Sequence, residues 1–169
     1  MNKNLILAGM MGVGKSTLGK ALSLQLKMNF IDTDVEIEKS ESETINSLFE
    51  NKGEDYFRKV EKKICLNSIK KSNSIIAVGG GAFVSDEIRI LALKECICFW
   101  LDLDLKILKD RLRISKKRPL LRMGNINERI DDIYDQRKNS YNLANYKISC
   151  NNKDKDKIIK EIVQIYEKN

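Results

Sequence analysis

The sequence predicts an α/β fold, a three-layer sandwich in which helices cover both faces of a parallel sheet of about five strands. Short apolar runs at residues 5–8, 75–78 and 97–101 have the length and composition of strands buried inside a parallel sheet. Segments with apolar residues at helical spacing separate these runs, and this alternation is typical of strand–helix–strand units. The 169 residues contain no repeat or linker, so we expect a single domain over residues 1–169.

Turn and cap residues place the remaining elements. Leucines at every fourth position over residues 18–26 predict the first helix, and Gly53 is expected to break the chain between two later helices. Ser42 or Thr44 can cap the earlier of those two, and Ser85 can cap a helix after the third strand. Two further strands are predicted at 30–32 and 146–149. One predicted helix begins near residue 34, a short one ends near residue 49, and another begins after residue 85. The remaining predicted helices span 54–70, 105–112, 128–139 and 158–166.

The stretch from Gly9 to Ser16 completes the pattern G-x-x-x-x-G-K-[ST]. Its glycines let the backbone curl around a phosphate, and the following helix adds its positive N-terminal end. Lys15 can neutralise the outer phosphates, and the Ser16 hydroxyl can bind Mg²⁺. A glycine-rich turn without a ligand is the alternative, but the strand before the loop and the helix after it favour nucleotide binding. We therefore expect an ATP site with one Mg²⁺ at the loop residues Gly12, Val13, Gly14, Lys15, Ser16 and Thr17.

The composition narrows the possible chemistry. The chain has four cysteines, no C-x-x-C pair and no histidine, so buried thiols are a better interpretation than a zinc site. Without histidine, a general base must be a carboxylate, a lysine or a water. The net charge of +7 comes from basic residues interspersed with acidic ones, which favours a solvated surface and an anionic substrate over nucleic acid.

No apolar run of the sequence is long enough to span a membrane, because the longest, near residues 96–101, is far shorter than a spanning helix. The first strand begins too early to leave room for a signal peptide. We therefore expect a cytoplasmic protein that acts as a monomer, without membrane or nucleic-acid partners.

Further motifs follow the phosphate loop. They are D-T-D at 32–34, F-R-x-x-E at 57–61, G-G-G at 79–81, R-P-L-L at 118–121 and Arg137 in a later helix. In order and spacing, along nearly the whole chain, they resemble the shikimate kinase family, a small member of the nucleoside-monophosphate-kinase-like group. The resemblance implies a P-loop kinase fold and transfer of the ATP γ-phosphoryl group to the 3-hydroxyl of shikimate, a step of aromatic amino-acid biosynthesis.

The resemblance also implies an acceptor site. Asp34 is expected to orient the acceptor hydroxyl and accept its proton, while Arg58 and Arg137 bind the shikimate carboxylate. Asp32 is expected to hold Mg²⁺ through water, beside Ser16. On helices over about 34–62 and in the loop after the third strand, the other implied acceptor residues are Phe49, Phe57, Gly79, Gly80 and Gly81.

Each of these residues also has a simpler interpretation. Asp32 and Asp34 could cap the helix after the second strand. Arg58 could pair with Glu54 or Glu61 on its own helix. The phenylalanines could be core residues and the glycines a tight turn. All of these interpretations would have to hold at once beside a phosphate loop, which favours the acceptor site.

Residues 115–127 interrupt the alternation of strands and helices. The segment is basic and contains Pro119 and Gly124. By resemblance it is expected to form a mobile lid that carries Arg118 over the transferring phosphoryl group.

The adenine side of the predicted site rests on two residues and includes one departure from the family pattern. By resemblance, Arg111 contacts adenine, and Asn152 or Lys153 is expected to do so from the loop after the last strand. That loop reads Cys150-Asn151-Asn152 here, whereas the family often carries an aspartate in it. In a second departure, Ala77 occupies a position where the family often has a serine. This alanine argues against a hydroxyl group near Mg²⁺ at that position.

Two other functions fit the phosphate loop. Another small-molecule kinase of the same fold, such as a gluconate or nucleotide kinase, would bind its acceptor with residues other than Asp34, Arg58 and Arg137. A non-catalytic ATP-binding module usually carries partner-binding extensions, for which the sequence shows no sign. The acceptor residues therefore favour an ATP-dependent phosphotransferase that acts on shikimate.

Overall fold

A single sheet of parallel strands forms the centre of the protein in the computed structural model, which describes residues 3–113 and 125–169. The strands are Asn4–Ala8 (β1), Asn29–Asp32 (β2), Ser74–Ala77 (β3), Cys96–Asp102 (β4) and Tyr146–Ser149 (β5). They lie in the order β2-β3-β1-β4-β5, and each neighbouring pair is parallel. The predicted five-stranded parallel sheet is therefore confirmed.

Helices connect these strands in the described ranges. They are Lys15–Leu26 (α1), Thr33–Glu41 (α2), Ile45–Ile69 (α3), Asp86–Glu95 (α4), Leu105–Arg113 (α5), Ile126–Tyr141 (α6) and Lys155–Tyr166 (α7), with a 3-10 turn at Ala82–Val84. Gly53 interrupts α3 at a φ of 80°, as predicted, and Thr44 caps its first part by accepting from the Ser47 N–H at 3.2 Å. Ser85 occupies the N-cap position of α4, as predicted, although its side chain makes no capping hydrogen bond. None of these helices is long and apolar enough to cross a membrane.

Within residues 3–113 and 125–169, the apolar side chains form two clusters. The larger one fills the space between the sheet and its helices. Every residue of β1 and β3 is buried, because helices cover both faces of the sheet. The smaller cluster contains Ile37 of α2 with Leu48 and Phe57 of α3, and Phe49 packs against it. α2 and α3 therefore pack against each other around a separate small core, and α2 begins where β2 ends.

The four cysteines are buried thiols, as predicted. Burial raises the pKa of Cys96 to about 12 and that of Cys150 to about 11. Thiols with such pKa values stay protonated near neutral pH and behave as small core residues.

The register of the sheet brings three chain segments to one edge. Asp32 at the end of β2 is aligned with Ala77 at the end of β3, and Ala77 is aligned with Leu7 of β1. The segments that follow these strands are the phosphate loop, the start of α2 and the glycine triplet. Because ligands of open α/β sheets bind at the carboxyl ends of the strands, this edge is the candidate site.

Candidate active site

The phosphate loop joins β1 to α1. Gly9, Gly12 and Gly14 adopt φ values of 136°, 81° and 105°, in the left-handed region that favours glycine. A side chain at Gly9 would also collide with the backbone of β4, because its Cβ would lie 2.5 Å from the Leu101 carbonyl oxygen. Since α1 begins at Lys15, the positive end of its dipole lies at this loop.

A cavity of about 180 Å³ lies at the loop. Its lining includes five of the six loop residues predicted to bind ATP, which are Gly12, Gly14, Lys15, Ser16 and Thr17. The side chain of Val13 is buried in the core instead. Lys15 Nζ donates to the carbonyl oxygens of Gly9 at 2.8 Å and Met10 at 3.0 Å, so the ammonium group lies against its own loop.

Two oxygen donors suited to a hard cation meet beside this cavity. The Ser16 hydroxyl donates to Asp32 Oδ2 at 2.5 Å, and Asp32 Oδ1 accepts from the Asp34 N–H at 3.1 Å. Asp32 is therefore the N-cap of α2 and a neighbour of Ser16 at once, whereas Asp34 lies within the helix and is not its cap. A hydroxyl and a carboxylate fit Mg²⁺, which prefers oxygen ligands and keeps several waters when bound.

The buried hydroxyl of Thr33, between the two aspartates in the sequence, links the end of β2 to the end of β3 through hydrogen bonds. Thr33 Oγ1 donates to the Ala77 carbonyl at 3.3 Å and accepts from the Gly79 N–H at 3.0 Å. Thr33 is fully buried and holds the start of the glycine triplet in place. Ala77 lines the small cavity and contributes no hydroxyl to it. Sequence reasoning missed Thr33, although its place inside the D-T-D motif was a usable signal.

A larger cavity of about 610 Å³ adjoins the first one. Ser16, Asp32, Asp34 and Gly80 line both cavities, so the two meet at these residues. All the predicted acceptor residues line the larger cavity, namely Asp34, Phe49, Phe57, Arg58, Gly79, Gly80, Gly81 and Arg137. The rings of the two phenylalanines lie 4.6 Å apart. Both side chains are part of the small apolar cluster or pack against it, and both also line the cavity.

The glycine triplet makes room for the charged side chains of the site. A Cβ at Gly79 would lie 2.8 Å from carboxylate oxygens of both Asp34 and Glu61. A Cβ at Gly80 would lie 3.1 Å from Arg137 Nη1, and one at Gly81 would lie 2.6 Å from Arg58 Nη1. None of the three glycines has a positive φ, so the requirement is space rather than backbone conformation.

Arg58 lies between two acids of its own helix. Its Nη1 donates to Glu61 Oε2 at 2.7 Å, and its Nη2 donates to Glu54 Oε1 at 3.0 Å. The simpler interpretation of Arg58 as an ion-pair partner is therefore true, and it holds together with a place in the cavity wall. These acids also fix the direction of the guanidinium group.

Glu61 is a buried acid of the cavity wall, only 3% exposed. Burial, the largest effect, raises the pKa of its carboxyl group, and the charge of Asp34 raises it further. Arg58 and Arg137 lower this pKa, but it still lies above its ordinary value. Sequence reasoning gave Glu61 a place in the F-R-x-x-E motif and a pairing with Arg58, but no place in the cavity wall. Its spacing from Phe57 was a usable signal that both residues line the cavity, since residues four apart share one helix face.

Arg137 projects from α6 and is 8% exposed. One helical turn later, Tyr141 is fully buried, and its hydroxyl donates to the Gly80 carbonyl at 2.5 Å. Sequence reasoning missed Tyr141 because the predicted helix ended at residue 139, which left the tyrosine outside the pattern that carries Arg137.

Arg111 and Asn152, which are predicted to contact adenine, lie outside both cavities. Arg111 Nη1 donates to the Gly12 carbonyl at 3.3 Å, which brings α5 against the phosphate loop. Asn152 lies in the turn after β5 with a φ of 52°. Contact of these residues with adenine stays a prediction.

The predicted lid over residues 115–127 lies largely outside the described residues, and so does Arg118. Its last residues differ from the prediction. α6 begins at Ile126, and Asn125 caps it by accepting from the Asn127 N–H at 3.0 Å, so residues 126 and 127 are helical.

Comparison with known proteins places the chain in a family. The family described as shikimate kinase matches residues 11–167. The shikimate kinase of Sulfurihydrogenibium is 38% identical, over 95% of this chain and 96% of its own length. That of Bacillus subtilis is 36% identical, over 96% of this chain and 88% of its own length.

Solved structures agree with these sequence relatives. The shikimate kinase of Acinetobacter baumannii, solved in complex with shikimate, superimposes with a TM-score of 0.95 at 30% identity and covers 100% of this chain and 95% of its own. A gluconokinase from Sinorhizobium meliloti reaches a TM-score of 0.61 at 12% identity, covering 99% of this chain and 93% of its own, and shares the fold alone. The chain belongs to the shikimate kinase family.

Proposed function

We propose that the protein transfers the γ-phosphoryl group of ATP to the 3-hydroxyl of shikimate, giving shikimate 3-phosphate and ADP. The observation that carries this proposal is the junction of the two cavities, which share Ser16, Asp32, Asp34 and Gly80. A nucleotide phosphate in the smaller cavity would meet an acceptor hydroxyl of the larger cavity at this junction. Phosphoryl transfer depends mainly on such positioning of donor and acceptor.

The larger cavity suits the chemistry of shikimate, a small ring with one carboxylate and three hydroxyls. Arg58 and Arg137 offer guanidinium groups to the carboxylate, and arginine and carboxylate favour bidentate pairing. Arg58 is oriented by two acids and Arg137 is buried, so binding costs little further side-chain freedom. The rings of Phe49 and Phe57 would cover the apolar edge of the substrate.

Asp34 is the proposed general base. Its Oδ1 lies against Gly79, close to the junction of the cavities. There it would orient the acceptor hydroxyl and take its proton as the bond to phosphorus forms. Lys15 would release the carbonyls of Gly9 and Met10 and neutralise charge on the β- and γ-phosphates.

Ser16 and Asp32 are the residues that would hold Mg²⁺, because their oxygens lie 2.5 Å apart at the small cavity. The metal ion supplies neutralisation of the phosphate charge. Backbone N–H groups of the loop, including those of Gly12 and Gly14, would cradle the phosphates. By family resemblance, Arg118 acts on the transferring phosphoryl group.

We further propose that the enzyme is a cytoplasmic monomer without nucleic-acid or membrane partners. Residues of one chain line both cavities, which supports activity as a monomer. Size-exclusion chromatography with light scattering at assay concentrations tests the monomer, and a dimer would contradict it.

The decisive experiment is ADP release with ATP and Mg²⁺ in the presence of shikimate, gluconate, a nucleoside monophosphate or no acceptor. ADP release is expected with shikimate alone. Release with gluconate or a nucleoside monophosphate, and none with shikimate, would replace the proposed acceptor. Release that is the same with and without acceptors would identify an ATPase and overturn phosphoryl transfer to shikimate.

A further inference from the structure

The hydroxyl of Tyr141 occupies a buried position behind the acceptor site. It donates to the Gly80 carbonyl at 2.5 Å and lies 3.9 Å from Met10 Sδ of the phosphate loop. The tyrosine ring also lies 6.0 Å from the ring of Trp100 on β4. One hydroxyl therefore contacts segments that follow two different strands of the sheet.

Arg137, one turn earlier on the same helix, lies beside this hydroxyl. Burial raises the pKa of Tyr141 to about 12, while the nearby charge of Arg137 acts in the opposite direction. The phenol therefore stays protonated near neutral pH. A tyrosine hydroxyl can donate one hydrogen bond and accept another, so it can serve Gly80 and Arg137 together.

Gly80 is the residue where a small shift would matter. It lines both cavities, and the position of its Cβ would lie 3.1 Å from Arg137 Nη1. Movement of the Gly80 backbone would therefore change the place that Arg137 can occupy.

We propose that Tyr141 is a positioning residue for the acceptor site, whose hydroxyl holds the Gly80 carbonyl and the Arg137 guanidinium in one arrangement. This inference rests on the proposed function, because it assigns the effect to shikimate rather than to ATP. Tyr141 acts through Arg137 and Gly80 and does not touch the reacting atoms.

The chain offers a matched control in Tyr166. This tyrosine is also buried, and its hydroxyl also donates to a backbone carbonyl, that of Lys3 at 2.6 Å. Lys3 precedes β1, so this bond lies at the end of the strand opposite to the phosphate loop. Tyr141→Phe and Tyr166→Phe each remove one hydroxyl and keep the ring, and only the first faces the site.

The test measures kcat and the KM of both substrates, together with urea unfolding, for the two variants and the wild type. Tyr141→Phe should raise the KM for shikimate about three- to tenfold, the factor that one buried hydrogen bond commonly represents, and should leave the KM for ATP unchanged. Tyr166→Phe should leave both KM values unchanged while losing a comparable amount of stability. Shikimate binding followed by fluorescence of Trp100, the single tryptophan of the chain, gives an independent reading.

A double variant tests whether Tyr141 acts through Arg137. In an Arg137→Gln background, Tyr141→Phe should have little further effect on the KM for shikimate, because the two changes are coupled. Additive effects would overturn the proposal, and so would equal rises in both KM values or a Tyr141→Phe protein that fails to fold while Tyr166→Phe folds. Absence of shikimate phosphorylation by the wild type would instead refute the proposed function, so the two failures are distinguishable.

Discussion

Replacing Gly81 with alanine tests whether the glycine triplet exists to make room for charged side chains. Gly81 has a φ of −92°, which alanine adopts readily, so the backbone need not change. The added methyl group would lie 2.6 Å from Arg58 Nη1, whereas ordinary contact begins at 3.4 Å. Arg58 must therefore withdraw by about 0.8 Å, the difference between these two distances.

This displacement should cost substrate binding much more than stability. The guanidinium group is the far end of a flexible side chain that is 33% exposed, so it can move without disturbing the core. A hydrogen bond to a charged group contributes about 1.5–3 kcal/mol and depends on alignment. Loss of that alignment predicts a rise of roughly ten- to hundredfold in the KM for shikimate, with no change in the KM for ATP.

The assay is steady-state ADP release with each substrate varied in turn, combined with thermal unfolding. Gly53→Ala is the matched control, because Gly53 has a φ of 80° and no atom within 4 Å of a Cβ position. It should lower Tm through backbone strain and leave both KM values unchanged. A Gly81→Ala enzyme with an unchanged KM for shikimate would refute the assignment of Arg58 to the acceptor, or the spatial reason given for the glycine.

Four further changes test other parts of the site. Lys15→Ala should abolish ADP release, because charge on the phosphates would no longer be neutralised, and retained turnover would exclude Lys15. Ser16→Ala should raise the Mg²⁺ concentration needed for half-maximal rate in a Mg²⁺ titration; an unchanged titration would remove Ser16 from the metal site. Asp34→Asn should still bind shikimate in calorimetry but lose turnover, since an amide cannot accept the proton, and an active variant would contradict the role of base. Arg137→Lys should weaken shikimate binding about ten- to hundredfold and spare ATP binding, because an ammonium group cannot reproduce the guanidinium fork; equal losses for both ligands would argue against this role.

The strands and the phosphate loop could be predicted because the patterns that specify them are local. All five predicted strands agree with the structure to within one residue at each end. The break at Gly53 and the cap at Thr44 were also predictable, since each depends on the conformation or hydrogen bonding of residues a few positions away. The end of α6 was not, because Tyr141 remains helical where its hydroxyl reaches a different part of the chain.

The sequence by itself determined the α/β sheet, the phosphate loop and, through a family resemblance, which residues to expect at the acceptor site. Only the tertiary structure decided why the glycines of the triplet are needed, since each faces a charged group from α2, α3 or α6. It also decided that Glu61 is a buried wall residue and that the Tyr141 hydroxyl donates to the Gly80 carbonyl. The physical reason is that such contacts depend on a few ångströms of placement between elements far apart in the chain. Local hydrophobic spacing and turn chemistry specify each element, but they do not specify those distances.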